Sequence, residues 1–139
     1  MIPDPDEIKE WLLLAEKDLI SAQVLLAHEL PVIETSCFHS QQAIEKALKA
    51  FLVWKCQSFE KIHDIAYLLD LCKKYGLSFD FFNKDKAETI TSYAAEIRYP
   101  FAGPKITMDK AREALDIANN IWRFVSDQIS ILQSKNKEQ

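Results

Sequence analysis

Apolar side chains recur at alternating steps of four and three residues near the start of the chain. The stripe runs through Ile8, Leu12, Ala15, Leu19, Ala22 and Leu26. Because an α-helix turns once in 3.6 residues, this spacing puts all six on one face of a helix. Asp4 is placed to cap this helix, Pro5 suits its first turn, and Pro31 predicts its end. The chain therefore begins with a long amphipathic helix that must bury one face against other helices.

A second helical segment, starting near Glu34 or Thr35, carries two stripes of core-forming residues side by side. Its small-residue stripe comprises Ser36, Ser40, Ala43, Ala47 and Ala50, and its large-residue stripe comprises Cys37, Gln41, Ile44, Leu48 and Phe51. Together the stripes cover about half of the circumference, at roughly 100° per residue. A helix with so wide an apolar arc contacts two neighbours, so we predict that it is the central helix of a bundle.

Further helices are expected over Asp64 to Tyr75, stopped by Gly76, and over about Lys84 to Arg98. Thr107 is placed to cap a last helix, in which alanines and larger apolar residues again step by three and four. No strand-like alternation of useful length occurs. The predicted fold class is all-α, an antiparallel four- to five-helix up-and-down bundle. One domain is expected over residues 1–130, followed by a polar, frayed tail over residues 131–139.

The composition and the N-terminal sequence disfavour several classes of protein. The net charge is -4 and the sequence pI about 5.4, so non-specific binding to nucleic acid is disfavoured, although a local basic patch can still bind it. The 3 cysteines are odd in number and widely spaced, which argues against a disulfide framework. The N-terminus lacks the pattern of a signal peptide, and the apolar runs are too short to span a bilayer. We expect a cytoplasmic protein with no membrane segment.

The second helix also has a polar face opposite its apolar arc. This face carries His39, Gln42, Glu45, Lys46 and Lys49. It can be a solvated surface. Phe38 and Val53 lie on the same side, however, and two apolar residues beside basic ones suggest that a second subunit covers it.

Two other polar features have structural and functional interpretations. Gln41 interrupts the large-residue stripe, and a buried amide without partners costs on the order of 1–3 kcal/mol. It is expected to bond either a neighbouring helix end or a ligand. Asp64 is placed as a helix cap, and His63 beside it is expected to support the same turn.

The segment "AAEIRYPF" ends the fourth helix with Arg98 and Tyr99. A guanidinium offers a rigid fork to phosphate oxygens, and a phenol can stack on a base. From the residues alone, the alternative for Arg98 is an ion pair with Asp18, Glu45 or Glu96.

No metal site, cofactor site or catalytic nucleophile is predicted. Cys37 and His39 are two residues apart and point to different faces of a helix, and no zinc-binding motif occurs. Cys37 lies in an apolar stripe, where a thiol stays protonated and inert. Two glycines are too few, and wrongly placed, for a phosphate-binding glycine loop.

The order of these segments resembles the HEPN domain, the nucleotide-binding domain of higher eukaryotes and prokaryotes. The matching segments are "WLLLAEKDLISAQVLL", "CFHSQQAIEKALKAFL", "HDIAYLL", "EIRYPF" and the alanine-rich last helix from "DKAREALDIA". The resemblance covers about Ile8 to Val125, and "FHSQQAIEKALKA" is its most specific part. It implies a helical bundle that commonly forms a homodimer and is often encoded beside a minimal nucleotidyltransferase.

The resemblance also implies nucleotide binding or, in many members, metal-independent ribonuclease activity in toxin systems. Ribonuclease members carry an Arg followed four to six residues later by His. Here Arg98 is followed by "YPFAGPK", which has no His, and RNA cleavage needs an acid and a base near neutral pH. Binding is therefore the preferred function, and a divergent endoribonuclease toxin using Arg98 with His39 or His63 is the alternative.

The predicted site for a nucleotide or an RNA phosphate comprises Arg98, Tyr99, His39, Gln42, Lys46 and Lys49. In this interpretation Arg98 holds the phosphate, the two lysines add positive charge, and Tyr99 or His39 contacts the base or sugar. A third interpretation needs no ligand. In it, the chain is a structural helical subunit that holds a nucleotidyltransferase through Phe38, Val53 and Trp54.

Overall fold

The computed structural model describes residues 2–60, 63–98 and 105–137, with side chains described to residue 93 in the fourth helix and to residue 130 in the last. These residues form five helices and no strand, which confirms the all-α prediction. The helices are α1 (Pro5–Ala27), α2 (Ile33–Trp54), α3 (Ile65–Lys74), α4 (Lys84–Arg98) and α5 (Met108–Lys137).

Helix α1 begins where the sequence predicts and ends earlier. The Asp4 carboxylate accepts the backbone N–H groups of Asp6 and Glu7, at 2.9 and 3.4 Å, as an N-cap does. The helix stops at Ala27, before Pro31, and there the His28 imidazole accepts the N–H of Leu30 at 3.0 Å. A side chain that bonds the backbone locally competes with helix continuation.

Helix α2 is the central helix, as predicted, because it packs against each of the other four. Thirteen of its 22 residues are buried. Its small-residue face meets small residues of α1, where Ala15 and Ala22 are completely buried. The Ser36 hydroxyl donates to the carbonyl of Ala22 at 2.8 Å. Small side chains on both helices permit this close antiparallel approach, which sets the distance between α1 and α2.

The remaining helices close the bundle around α2. Asp64 caps α3 by accepting the N–H of Tyr67 at 3.3 Å, and Gly76, with φ of 95°, follows the end of that helix. Thr107 caps α5 through the N–H of Lys110 at 3.2 Å. The indole Nε1 of Trp122 on α5 donates to the carbonyl of Leu12 on α1 at 2.9 Å.

Helix α5 continues through Lys137, across most of the segment that was predicted to be a frayed tail. This segment contains neither glycine nor proline, and Lys, Gln and Ser are tolerated in helices. The polar composition of this segment therefore does not end the helix. In the described part of the chain, no helix is both long and apolar enough to cross a membrane.

Candidate functional site

A buried carboxylate on α1 organises one polar group of side chains, the Asp18 cluster, which comprises Asp18, His39 and Lys46. Asp18 is 8% exposed. One carboxylate oxygen accepts from His39 Nδ1 at 2.9 Å, and the other accepts from Lys46 Nζ at 2.6 Å. Because His39 and Lys46 are seven residues apart on α2, they lie two turns apart on one face and can reach the same carboxylate.

A second buried carboxylate, on α2 itself, organises the Glu45 cluster of Glu45, Lys49 and His63. Glu45 is 1% exposed, and its Oε1 accepts from His63 Nδ1 at 2.6 Å and from Lys49 Nζ at 3.5 Å. Lys49 Nζ also lies 5.4 and 5.7 Å from the ring centroids of Trp11 and Phe59. These aromatic rings enclose the ammonium and attract it by cation–π interaction.

Both clusters orient an imidazole in the same way. A carboxylate is only an acceptor, so Nδ1 of His39 and of His63 must carry the donated proton. The other ring nitrogen, Nε2, is then the one left for chemistry. The His63 side chain is 74% exposed and that of His39 is 28% exposed. A histidine held this way can accept a proton at Nε2 or, when charged, donate a hydrogen bond to an anion.

Three buried acceptor atoms on α2 have no hydrogen-bond partner within the part of the chain that the structure describes. They are Ser40 Oγ, Gln41 Oε1 and Glu45 Oε2. Gln41 and Glu45 are one helical turn apart, so their oxygens lie on neighbouring parts of the same face. Leaving such groups unpaired costs on the order of 1–3 kcal/mol each. The buried polar residues of α2 are therefore maintained at a cost in stability.

Comparison with known proteins identifies the fold. The family profile of the HEPN domain matches residues 8–129. This chain belongs to the HEPN family. The match agrees with the extent of the resemblance seen in the sequence.

Two solved structures are similar to this HEPN domain over most of their length. The archaeal HEPN homologue ST0689 is 26% identical, with a TM-score of 0.67, over 88% of this chain and 97% of the other. The protein TT1696 from Thermus thermophilus is 32% identical, with a TM-score of 0.67, over 86% of this chain and 96% of the other. No curated protein matches the chain.

The HEPN fold brings some of the predicted site residues together and separates others. His39 and Lys46 meet at Asp18, whereas Lys49 belongs to the Glu45 cluster. Gln42 is half-buried on α2 between them. Arg98 is the last residue of α4, with no described side chain, and Tyr99 lies outside the described residues.

Part of the polar face of α2 is covered by the chain itself. Glu45 and Lys49 are buried within the chain itself, where α1 and Phe59 supply the cover. Phe38 and Val53 are half-buried rather than exposed. Each lysine of the predicted cationic ridge is also paired with a carboxylate, so the positive field at this face is weaker than the lysines alone suggest.

The sequence does not predict that Asp18 and Glu45 organise these clusters. It indicates Asp18 only as an alternative partner of Arg98, although Asp18 lies between Ala15 and Ala22 on the buried face of α1, where an acid is unusual. It indicates His63 as support for a turn or as a catalytic alternative, and the contact of His63 with Glu45 spans 18 residues.

The pockets in the described part of the chain lie away from the Asp18 and Glu45 clusters. Pockets of about 630, 410 and 210 Å³ are lined by other residues, the first of them between α3 and α4. Within the described ranges, no three His, Cys, Asp or Glu side chains come together as a metal site.

Proposed function

We propose that this HEPN protein binds a nucleotide, or RNA through its phosphate, and acts as the partner of a minimal nucleotidyltransferase. The observation that supports binding is the pair of clusters on α2, in which buried carboxylates hold His39, Lys46 and His63 in fixed orientations. Preorganised donors of this kind lose little entropy when they bind an anion.

Lys46 and His39 are the phosphate contacts in this proposal. The Lys46 side chain is 25% exposed, and its ammonium has three donors, of which Asp18 takes one. Two donors remain for phosphate oxygens. Lys49 is 7% exposed and enclosed by Glu45, Trp11 and Phe59, so it adds charge without touching the ligand.

Gln41 Oε1 and Glu45 Oε2 are closed off inside the bundle, so a bound ligand does not reach them. A nucleotide is favoured over an inorganic anion because it adds a base and a ribose, which can contact side chains beside the phosphate contacts. In this proposal Arg98, the last residue of α4, contacts the phosphate, and Tyr99, which follows it in the sequence, contacts the base.

Calorimetric titration with ATP, GTP and a short single-stranded RNA tests the proposal, with pyrophosphate as the comparison ligand. We expect nucleotides to bind more tightly than pyrophosphate, and Lys46→Ala and Arg98→Ala each to weaken binding about tenfold, the loss of one charged hydrogen bond. Lys110→Ala, which removes an exposed lysine of α5, is the matched control. An absence of binding at millimolar ligand contradicts the proposal.

A second function, metal-independent RNA cleavage, is favoured by one observation. The exposed His63 imidazole is aligned by the fully buried Glu45 at 2.6 Å, and this arrangement orients a histidine for general acid–base catalysis. Incubation of labelled RNA with the protein in excess chelator tests it. Cleavage that His63→Ala abolishes and Glu45→Gln slows supports this function, and intact RNA contradicts it.

The partnership with a nucleotidyltransferase has its own test. Co-purification with such a protein encoded beside this chain's gene should survive Lys46→Ala, because the proposed partner surface comprises Phe38, Val53 and Trp54. A partner that is lost from Lys46→Ala but retained by Trp54→Ala would show that the basic residues hold it instead. No co-purified nucleotidyltransferase would contradict the partnership while leaving nucleotide binding standing.

A further inference from the structure

A cavity with an apolar floor lies between α3 and the start of α4. It has a volume of about 630 Å³, which is within the range of pockets that bind small molecules. Its floor comprises Leu69, Leu77 and Phe82, which are at most 8% exposed. The half-buried Phe79 extends this apolar surface. Because removing apolar surface from water is favourable, the cavity suits a ligand that has an apolar part.

Charged side chains surround the apolar floor. Three carboxylates, of Asp64, Asp70 and Glu88, and two ammonium groups, of Lys73 and Lys84, line the cavity. All five residues are exposed, so they form its rim. Because negative charges outnumber positive ones, this rim disfavours a nucleotide phosphate. The ligand of the cavity therefore differs in chemistry from the ligand proposed for α2.

The charges on the two walls of the cavity are satisfied differently. On α4, Lys84 and Glu88 pair with each other, with Nζ 3.9 Å from Oε1. On α3, Asp70 and Lys73 are three residues apart, a spacing at which opposite charges can pair on a helix. Their side chains nevertheless make no ion pair or hydrogen bond among the residues that the structure describes. The α3 wall thus presents one carboxylate and one ammonium whose charges are available to a ligand.

An α-amino acid with an apolar side chain matches this arrangement. Its ammonium and its carboxylate are attached to the same carbon, so they lie close together, as Asp70 and Lys73 do on one face of α3. Leu69 precedes Asp70 in the sequence and lies one turn before Lys73, so the apolar floor begins beside the two charges. A ligand held by both charges can therefore place its side chain on this floor.

We infer that the cavity between α3 and α4 binds a free apolar α-amino acid of the size of leucine or phenylalanine. Asp70 accepts from the ligand ammonium, Lys73 donates to the ligand carboxylate, and the apolar floor contacts the ligand side chain. The inference does not depend on nucleotide binding, because no residue of the Asp18 or Glu45 cluster lines the cavity.

Calorimetric titration with L-phenylalanine, and with analogues that each lack one of its groups, tests the inference. L-phenylalanine should bind. Phenethylamine, which lacks the carboxylate, and 3-phenylpropionate, which lacks the ammonium, should each bind about tenfold more weakly, the loss of one charged hydrogen bond. Glycine, which lacks the apolar side chain, should show no binding at the same concentrations. ATP should not displace L-phenylalanine, because the two ligands occupy different sites.

Two variants connect each charge of the ligand to one residue. Lys73→Met should weaken the binding of L-phenylalanine about tenfold and leave phenethylamine unchanged, because that analogue has no carboxylate. Asp70→Asn should weaken L-phenylalanine and leave 3-phenylpropionate unchanged. Lys74→Met and Asp116→Asn, which alter exposed residues outside the cavity, are the matched controls. Circular dichroism checks that each variant is folded.

The other outcomes overturn the inference. An absence of L-phenylalanine binding at tens of millimolar excludes the site. Phenethylamine that binds as tightly as L-phenylalanine shows a site for organic cations, and tighter binding of the dipeptide phenylalanyl-leucine, whose charges are farther apart, shows a peptide site. Equal losses in Lys74→Met and Lys73→Met would mean that no specific contact with Lys73 exists.

Discussion

Asp18 and Glu45 show how buried carboxylates are accommodated in a helical core. Each accepts from one histidine and one lysine, so the charge of each buried carboxylate is balanced by its partners. Burying an ion pair rarely adds stability over an apolar pair, whereas removing one partner is expensive. The two clusters therefore behave as units, and single substitutions in them are more harmful than double ones.

Replacing Glu45 by leucine should lower the free energy of unfolding by about 3 kcal/mol, because Lys49 then stays buried without a counterion. Glu45→Gln keeps an acceptor for His63 and should cost less. The double variant Glu45→Leu/Lys49→Met should regain most of the loss. Urea denaturation measures all three, and equal stability of the single and double variants contradicts this account.

Cys72 should be chemically silent in the folded protein. Burial raises the pKa of its thiol to about 12, from 9.0, and the thiol donates to the carbonyl of Leu48 at 3.6 Å. In a Cys37→Ala/Cys56→Ala variant, the remaining thiol should react with a disulfide reagent at pH 8 only after denaturant is added. Rapid reaction without denaturant contradicts the burial.

The same thiol makes stability depend on pH at the alkaline end. Above pH 9 the unfolded chain loses the Cys72 proton while the folded chain keeps it, so the free energy of unfolding falls from pH 9 up to about pH 12. Burial also raises the pKa of Tyr93, which acts in the same direction. In Cys72→Ala, the free energy of unfolding obtained from denaturation curves should fall less steeply over this pH range. An unchanged slope would assign the pH dependence to other groups.

At the scale of single elements, the stability of α3 depends strongly on the residues that cap its two ends. It has only ten residues, and isolated helices of that length are unstable in water. Asp64 satisfies its first turn, and Gly76 takes a positive φ that lets the chain reverse after its last turn.

Gly76→Ala should destabilise the protein by about 1 kcal/mol for conformational reasons alone. No atom lies within 4 Å of the position that a Cβ would take, so no steric clash contributes, while the φ of 95° is unfavourable for alanine. Gly76→Asn should cost less, because asparagine tolerates this region better. Thermal unfolding distinguishes the two, and equal losses would point to a clash instead.

The elements were largely predictable, because helix periodicity and capping are local properties. Asp4, Asp64 and Thr107 cap the helices that they were expected to cap. The clusters were less predictable, because Lys46 and Asp18 are 28 residues apart. Whether they meet depends on the rotation of α1 about its axis, and Ala15, Ala22 and Ser36 determine this only once the helices are packed.

At the scale of the whole molecule, contacts between α1 and α5 connect residues that are far apart in the sequence. The indole Nε1 of Trp122 on α5 donates a hydrogen bond to the carbonyl of Leu12 on α1, 110 residues away in sequence. The other helices meet chiefly through α2. Side chains that connect distant parts of a chain contribute to the cooperativity of unfolding.

Trp122→Phe should lower the free energy of unfolding by about 1 kcal/mol, because it removes this hydrogen bond but keeps an aromatic ring. Trp54→Phe, at a half-buried position on α2, is the comparison for the loss of ring size. Guanidinium denaturation monitored by circular dichroism measures both. If Trp122→Phe lowered the free energy of unfolding less than Trp54→Phe, the hydrogen bond of Trp122 would add no stability.

The position of the central helix has a consequence for biosynthesis. Since α2 directly follows α1 and pairs closely with it, the helical hairpin that carries Asp18, His39 and Lys46 emerges from the ribosome before α3, α4 and α5. The nascent chain can then assemble α3 and α4 against an existing template, and α5 docks last. The faces of α1 and α2 that pack against α5 stay uncovered until this last helix is made, so the hairpin exposes apolar surface for most of the synthesis of this domain.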